Sequence, residues 1–513
     1  MKKFDQLKIG ALLSYVSLGL SSIISILYTP IMLALLGQSE YGLFNLSNSI
    51  IGYLGVLDFG LGNAVVRYTS KYRALEDKDG EQNLHGMFII IYSFLACVII
   101  ITGSILVYNA DKLFSKTLTI EELNRIKILM TIMIFNLAIS FPFGVFNGII
   151  NAYEHFIFPR IIGIIRAIVN PLVMIPLLLI GYKSIGMTVA TTVMNILCIV
   201  VNLYYCLKIL NIKIKFKKFD YAILKEISGY SFFIFLNIIV DKIYWSTDQF
   251  ILGAISGTVA VAIYSVGSTM NTYYMNFSTA ISGVFLPKVT KMVTKDASSK
   301  ELSDLFIKTG RIQYIIMSFI LGGFILIGQE FIDIWAGTEY ADSFYIALVV
   351  MIPLTVPLIQ NIGITILQAK NMQKFRSNIY IIIAILNVLA SIPLAKILGG
   401  FGAALSTAAS MIIGNIIIIN IYYYKIVKID IPCFWKNIFI MSIPVVISIV
   451  LGKGISSIIK IEGYSGIMIK ASIFSVTFFA LMWLIGMNNY EKQLFISPIN
   501  KVRRKFLSRG KIA

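Results

Sequence analysis

Fourteen apolar segments, each close to the length needed to cross a lipid bilayer, fill almost the whole chain. A transmembrane helix needs roughly 20 mostly apolar residues, and 58% of the 513 residues are hydrophobic whereas 13% are charged. Because backbone amides find no water inside a bilayer, helices are expected there. The sequence therefore predicts an all-α integral membrane protein without a soluble domain. The predicted spans are 10–36, 41–66, 84–109, 121–150, 158–181, 184–208, 227–254, 258–286, 303–328, 341–369, 377–398, 401–424, 436–459 and 464–487.

The 44 lysines and arginines are distributed unevenly between the loops. If the N-terminus is cytoplasmic, most of them fall in the two tails and in the loops on the same side of the membrane. This excess is the positive-inside pattern, which places both termini in the cytoplasm. It also accounts for most of the net charge of +19. We attribute the basic clusters to topology and to membrane lipids with anionic headgroups, and we expect no nucleic-acid partner.

The two halves of the chain partly repeat each other. Asn170 precedes Pro176 by six residues, and Asn387 precedes Pro393 by the same spacing. Further matches, such as Thr407 with a threonine in the sixth span, occur at a nearly constant offset. Because each copy holds six spans, an even number, both copies have the same orientation in the membrane. This parallel repeat is typical of transporters that alternate access between the two sides.

The repeat predicts three parts of the chain. Residues 1–212 form an N-terminal six-helix bundle, and residues 213–428 form a C-terminal six-helix bundle related to it by a pseudo-twofold axis. Residues 429–513 add two transmembrane helices and a basic cytoplasmic tail. We expect the substrate cavity to lie between the two bundles.

The seventh span carries a polar stripe at helical spacing. Its members share one helix face and are Asn237, Asp241, Tyr244, Trp245 and Asp248. Lys242 lies beside the stripe, about 100° around the helix from Asp241. Carboxylates, an amide and aromatic rings suit a hydrated cavity that binds sugar hydroxyls and stacks on sugar rings. The alternative is a buried structural ion pair, or a lysine whose amino group reaches the membrane surface.

Three further charged residues occur in or near the spans of the N-terminal half. Arg166 is a lone cation well inside the fifth span, and its counterpart in the second repeat is the apolar Ile383. Charged residues inside a membrane usually face protein or a water-filled cavity. Arg166 therefore contacts an anionic substrate or pairs with Asp58 or another carboxylate. Asp58, which is followed by two glycines, has a coupling or structural role, and Arg67 is more often an anchor at the membrane surface.

Motifs for catalysis or nucleotide binding do not occur in the sequence. We find no Walker loop, no nucleophile elbow and no HExxH sequence, so we expect no catalytic residue, no metal site and no cofactor. Transport would then draw on an ion gradient, the membrane potential or substrate consumption. Thr119 with Glu122, and Ser298 with Glu301, have the spacing of capping boxes that begin helices.

The N-terminal part of the chain contains a series of closely spaced motifs. They are Leu36-Gly37, Glu40-Tyr41-Gly42-Leu43, Leu57-Asp58-Phe59-Gly60-Leu61-Gly62 and Arg67-Tyr68-Thr69-Ser70-Lys71-Tyr72-Arg73-Ala74. This series resembles the N-terminal signature of Wzx-type polysaccharide flippases, which belong to the multidrug/oligosaccharidyl-lipid/polysaccharide exporter superfamily. Fourteen spans in a six-plus-six repeat with two extra helices extend the resemblance over essentially the whole chain.

The resemblance implies a transporter of the bacterial inner membrane rather than an enzyme. Its cargo would be a lipid-linked oligosaccharide, carried on undecaprenyl diphosphate and moved from the cytoplasmic to the outer leaflet. A polysaccharide polymerase and chain-length machinery would be its partners. Cationic cavities are typical of flippases in this superfamily, and here Arg166 and Lys242 are the clear intramembrane cations.

Three alternatives remain open at the level of sequence. A cation-coupled drug antiporter of the same fold would have an acidic and aromatic cavity, which the seventh span partly offers. A flippase for lipid II or a teichoic-acid precursor would share the cargo chemistry. A membrane-embedded polymerase or glycosyltransferase would need a long outer loop with acid and base residues, whereas the outer loops here are short.

Overall fold

The computed structural model contains helices joined by short connections, with no strand in the part of the chain that it describes. The described residues are 3–216, 219–282, 286–295, 297–370, 372–458, 463–494 and 496. Residues 497–513, which hold most of the predicted basic tail, lie outside them.

Seventeen α-helices follow one another along the described residues. Their bounds are α1 Lys3–Leu54, α2 Leu61–Ala74, α3 Lys78–Tyr108, α4 Ala110–Phe114, α5 Ile120–Ala152, α6 Ile157–Leu179, α7 Lys183–Tyr204, α8 Tyr221–Ile255, α9 Gly257–Ser282, α10 Leu286–Thr294, α11 Ser299–Trp335, α12 Ser343–Ile359, α13 Asn361–Ala369, α14 Gln373–Met411, α15 Ile419–Tyr422, α16 Ile431–Ile458 and α17 Gly463–Leu481. Single turns of π-helix follow α7, α14, α15 and α17.

The expectation of an all-α membrane protein is confirmed. Within the described residues, ten helical segments are long and apolar enough to cross a membrane, or eleven if α12 and α13, bent by 43°, form one span. Two of the ten are 63 and 54 residues long, far beyond the roughly 20 that one crossing needs. Each contains a glycine with non-helical backbone angles, Gly37 in α1 and Gly399 in α14. The predicted count of fourteen spans is not confirmed.

The chain forms two compact units. The first comprises Met1–Val266 with Tyr380–Thr407, and the second comprises Gly267–Ile379 with Ala408–Ala513. The three-part division at residues 212 and 428 stays a prediction. All nine residues proposed from the sequence for substrate binding or coupling belong to the first unit.

In the first unit, α1 packs against α6 and α8, and α5 packs against α3 and α7. The predicted capping box at the start of α5 is confirmed, because Thr119 and Glu122 exchange side-chain and backbone hydrogen bonds. Glu122 also accepts hydrogen bonds from Ser39 at 2.6 Å and from Thr258 at 2.8 Å. The capping glutamate thus joins α1 and α9 to the start of α5.

In the second unit, α11 packs against α12, α16 and α17. Its start has the second predicted capping box, formed by Ser298 and Glu301. Farther along α11, Arg311 is buried and its Nε lies 2.6 Å from Oε1 of the buried Glu491. The same guanidinium donates to Asn437 at 2.8 Å and to the Gly486 carbonyl at 2.9 Å. These bonds tie α16 and the segment after α17 to α11.

Candidate functional site

The polar stripe predicted in the seventh span lies on one continuous helix. Asp220 begins α8 by accepting hydrogen bonds from the Ala222 and Ile223 amides, which satisfies two backbone donors of the first turn. The helix then runs unbroken to Ile255. Positions 237, 241, 244, 245 and 248 therefore share a face, as their spacing indicates.

The innermost carboxylate of the stripe is enclosed by hydroxyl groups. Asp248 is 2% exposed. Its Oδ2 accepts hydrogen bonds from the Tyr264 hydroxyl at 2.5 Å and from Thr407 Oγ1 at 2.8 Å, and its Oδ1 accepts one from Ser391 Oγ at 3.0 Å. Three donors compensate a buried carboxylate well, because hydrogen bonds to charged groups are the strong ones. We call Asp248, Tyr264, Ser391 and Thr407 the Asp248 network.

Residues of the internal repeat extend the Asp248 network. Asn387 Nδ2 donates to Thr407 Oγ1 at 3.2 Å, and Ser406 Oγ donates to Asn387 Oδ1 at 2.8 Å. Sequence reasoning identified Asn387 and Thr407 as repeat positions but assigned them no role, and it did not identify Ser391 or Ser406. The sequence feature that could have identified these residues is the spacing of polar residues about one helical turn apart within an apolar segment.

Lys242 has a different environment from its neighbour Asp241. Its side chain is half-buried, and it forms no hydrogen bond or ion pair with the described residues. The amino group reaches α1, where a Cβ atom at Gly52 would lie 3.2 Å from Lys242 Nζ. Tyr53, the next residue of α1, bonds to Thr247 of α8 through their hydroxyls. The ammonium group is thus held against α1 with its charge uncompensated.

Arg166, like Lys242, is an intramembrane cation without a hydrogen-bond or ion-pair partner among the described residues. It is half-buried in α6 and makes no hydrogen bond or ion pair within the described part of the chain. Asn170, one turn farther along the same face, has a buried Oδ1 atom that also lacks a partner. Its repeat counterpart Asn387 is fully engaged in the Asp248 network. In the first repeat, α6 therefore carries polar groups without partners among the described residues, namely the Arg166 guanidinium and Asn170 Oδ1.

Asp58 is engaged elsewhere, so the alternative that it pairs with Arg166 does not describe this structure. The Tyr92 hydroxyl donates to Asp58 Oδ1 at 2.6 Å. Asp58 ends a 3₁₀ turn between α1 and α2, and Phe59 and Gly60 follow with φ angles of 53° and 74°. The bend that the glycine-rich sequence permits is confirmed.

The remaining predicted residues differ in exposure. Asp241 is exposed, Asn237 is half-buried, and Tyr244 and Trp245 have their ring centroids 5.7 Å apart. The buried Tyr244 hydroxyl has no partner among the described residues. Arg67 is exposed and stacks over the Tyr230 ring at 4.3 Å. Roles in substrate binding or coupling stay predictions for all nine residues.

Metal binding has no support in the described part of the chain. No group of three His, Cys, Asp or Glu side chains there is arranged to hold a metal ion. The first unit combines a carboxylate that accepts three hydroxyl hydrogen bonds with Arg166 and Lys242, which have no hydrogen-bond or ion-pair partner among the described residues. Such cations can bind an anion that enters from outside the protein.

The chain is similar to known proteins over much of its length. Residues 8–293 match the family model described as "Polysaccharide biosynthesis protein". The chain is 20% identical over 497 residues to "Uncharacterized membrane protein EpsK" of Bacillus subtilis (strain 168), covering 94% of this chain and 96% of that protein. It is 24% identical over 196 residues to "Putative O-antigen transporter" of Shigella dysenteriae, covering 38% of this chain and 47% of that protein.

The fold is also that of a solved transporter. The structure titled "Lipid II flippase MurJ, inward closed conformation" superposes with a TM-score of 0.72 at 15% identity, covering 96% of this chain and 99% of that one. At this identity the likeness shows the fold alone. The family match covers more than half of the chain. The chain therefore belongs to the polysaccharide biosynthesis protein family, which confirms the resemblance to Wzx-type flippases seen in its sequence.

Proposed function

We propose that the protein flips undecaprenyl-diphosphate-linked oligosaccharide repeat units from the cytoplasmic to the outer leaflet of the bacterial inner membrane. Both termini are then cytoplasmic, as the positive-inside pattern predicts. The observation that carries the proposal is that Arg166 and Lys242 lack hydrogen-bond and ion-pair partners within the described residues.

A cation without a partner inside a membrane carries a free-energy cost. Insertion of an arginine or lysine at the centre of a span costs roughly 2.5–3.5 kcal/mol. A diphosphate that passes through the protein would offset this cost transiently. Guanidinium binds phosphate oxygens through paired hydrogen bonds and stays protonated at any working pH, whereas ammonium acts as a compact point charge. Arg166 and Lys242 therefore fit an anionic cargo.

The oligosaccharide part of the cargo is supported by different residues. Asn237, Asp241, Tyr244 and Trp245 offer hydrogen-bonding groups and aromatic rings on one face of α8. The unpartnered Tyr244 hydroxyl is available to a sugar hydroxyl. The relative named as an O-antigen transporter supports an oligosaccharide cargo over a lipid II or teichoic-acid precursor.

A cation-coupled drug antiporter is the second candidate. Its cavity would need carboxylates that are free to bind a cation. Asp248, the most deeply placed carboxylate of the stripe, is instead saturated by three hydroxyl donors. The uncompensated positive charges of Arg166 and Lys242 would also repel a cationic drug, which favours the anionic cargo.

Transport would proceed by alternating access of the two repeat bundles without ATP hydrolysis. The polar cavity between the bundles, and contacts with a polymerase and chain-length machinery, stay predictions.

Substitution of Arg166 tests the proposal. We expect Arg166→Gln to lower export about 10- to 100-fold, because a lost charged hydrogen bond is worth roughly 1.5–3 kcal/mol. Arg166→Lys should retain partial export, since it keeps the charge and loses only the planar fork. The measurement is surface polysaccharide in cells that lack the chromosomal copy, with protein level determined alongside.

The matched control is Lys127→Gln, which removes one positive charge that is already paired with Asp111 at 2.7 Å. It should export normally. If Arg166→Gln also supports normal export at normal abundance, Arg166 does not contact the cargo and the proposal fails.

A further inference from the structure

The first unit contains an apolar cavity that the proposed transport of a sugar headgroup does not use. Its volume is about 710 Å³, within the range of roughly 300–1,000 Å³ that small-molecule sites occupy. Ten of its twelve lining residues are apolar, and five of them are phenylalanines. The phenylalanines are Phe59, Phe94, Phe219, Phe232 and Phe235. We call this cavity the α2–α3–α8 cleft.

The α8 wall of the cleft is one helix face. Leu224, Ser228, Ser231 and Phe235 are separated by four, three and four residues, which keeps them in line along a helix. The opposite wall begins at the bend between α1 and α2, where the Phe59 ring packs on Phe235 with centroids 4.7 Å apart. The cleft is therefore shaped by the helix break rather than by loose packing.

One polar group inside the cleft has no partner. Ser231 is 2% exposed, and its hydroxyl forms no hydrogen bond within the described residues. Serines in helices commonly donate to the carbonyl four residues earlier, as Ser265 does to Val261. A buried hydroxyl without a partner carries a desolvation cost. An occupant with an oxygen atom near this position would remove that cost.

Positive charge lies beside the cleft at Arg67 and beyond its far end at Lys242. Arg67 lies on α2 six residues beyond the lining residue Leu61, about 9 Å along the helix axis. Its guanidinium stacks over Tyr230 at 4.3 Å and has no ion pair among the described residues. Neighbouring Lys71 is neutralised by Glu226 at 3.1 Å. Arg67 is therefore the cation available to an anion at this end, which the charge pattern predicts to be cytoplasmic.

At the other end, Lys242 continues the same face of α8. It lies seven residues beyond Phe235, and seven residues are close to two helical turns. A bilayer phospholipid keeps its headgroup at the membrane surface and would use only Arg67. A cargo that crosses the membrane would meet Arg67 first and Lys242 next. A cation beside the cleft and another beyond its far end thus favour a transported amphiphile over a static lipid.

We propose that the α2–α3–α8 cleft receives the polyprenyl chain of the cargo, and that Arg67 binds its diphosphate before the diphosphate moves to Lys242. The proposal rests on the proposed function, because it takes the cargo to be a polyprenyl diphosphate. It assigns the lipid part of that cargo to a definite cavity.

The test is photolabelling of the full-length protein in liposomes by a polyprenyl diphosphate with a diazirine on its isoprenoid chain. Labelled peptides should come from the regions of Phe94 and Phe232. Unlabelled undecaprenyl phosphate should compete, and phosphatidylglycerol at the same mole fraction should not. Equal competition by both lipids would make the cleft a general lipid site and overturn the proposal.

Substitution of Ser228 by tryptophan fills the cleft from an exposed position, so folding should be preserved. Labelling should fall about tenfold, because the indole occupies apolar space that the isoprenoid chain would otherwise fill. The control is Ser472→Trp, an equally exposed serine on α17. Unchanged labelling in Ser228→Trp would overturn the proposal.

Failure of the cleft and failure of the proposed function give different results. If only the cleft is wrong, labelling is still saturable by the carrier but maps elsewhere, and export still depends on Arg166. If the cargo is not a polyprenyl diphosphate, no saturable labelling occurs anywhere in the chain. Either result contradicts the cleft assignment, and only the second contradicts the function.

Discussion

Asp248 and Lys242 lie six residues apart on the same helix in opposite chemical circumstances. Asp248 is buried and accepts hydrogen bonds from three hydroxyl groups. Lys242 is half-buried against Gly52 and has no partner among the described residues. The charge of Asp248 is compensated within the fold, whereas the charge of Lys242 can be compensated by a ligand.

This contrast separates charges that stabilise the fold from charges that are free to act on a cargo. Arg311 with Glu491, like the Asp248 network, belongs to the first class. Arg166 belongs to the second class with Lys242. Substitutions in the first class should lower stability, and substitutions in the second should lower transport without lowering stability.

The largest loss of stability is expected for Arg311→Met. It leaves the buried Glu491 carboxylate without its cation, and breaking a buried ion pair costs about 3–5 kcal/mol. The measurement is the fraction of detergent-solubilised protein that stays monodisperse after heating. Arg311→Met combined with Glu491→Gln should recover much of the loss, because the uncompensated charge is gone. If Arg311→Met stays monodisperse to the same temperature as the original protein, the Arg311–Glu491 pair does not stabilise the fold.

A smaller loss is expected for Asp248→Ala. The substitution removes the acceptor of the Tyr264, Ser391 and Thr407 hydroxyls. These groups are neutral, and Ser391 Oγ already has a second acceptor in Asn387 Oδ1 at 3.4 Å, so the loss should be smaller than that from a buried charge without its partner. The same heating assay measures it. Alanine at the exposed Asp241 on the same helix is the matched control and should change the transition little. If Asp248→Ala and Asp241→Ala lose monodisperse protein at the same temperature, Asp248 does not belong to the charges that stabilise the fold.

The smallest change in stability is expected for Lys242→Met, within about 1 kcal/mol, because it removes an uncompensated charge from a membrane helix and breaks no hydrogen bond. Export should nevertheless fall, since the cargo loses a cation. Lys242→Arg keeps the charge and should export. A Lys242→Met variant that unfolds like Arg311→Met would place Lys242 among the stabilising charges.

Much of the fold followed from local patterns. Apolar segment length predicted the all-helical membrane architecture, and residue spacing predicted both capping boxes and the polar face of α8. Each of these features depends on residues that are neighbours in sequence. Predicted spans also end at residues 36 and 398, next to Gly37 and Gly399, where the backbone of α1 and α14 departs from helical angles.

The partners of the charged residues could not be predicted in this way. Helical spacing places Asp248 on a face, but its partners Ser391 and Thr407 are more than 140 residues away along the chain. Nothing in the sequence around Arg166 distinguished a paired arginine from an unpaired one. Lys242 was assigned to the edge of the polar stripe, whereas its contact is Gly52 of α1. Such contacts arise from tertiary packing, which periodicity does not encode.

The account depends most on the claim that Arg166 and Lys242 bind the anionic linkage of the cargo. The direct measurement is the affinity of the purified full-length protein for an undecaprenyl-diphosphate-linked oligosaccharide, compared with Arg166→Gln, Lys242→Met, the double variant and the paired-lysine control Lys127→Gln. We expect each single substitution to weaken binding about tenfold or more, the double variant to weaken it further, and the control to bind like the original protein. Equal affinity of the original protein and the double variant, with both folded, would contradict the claim.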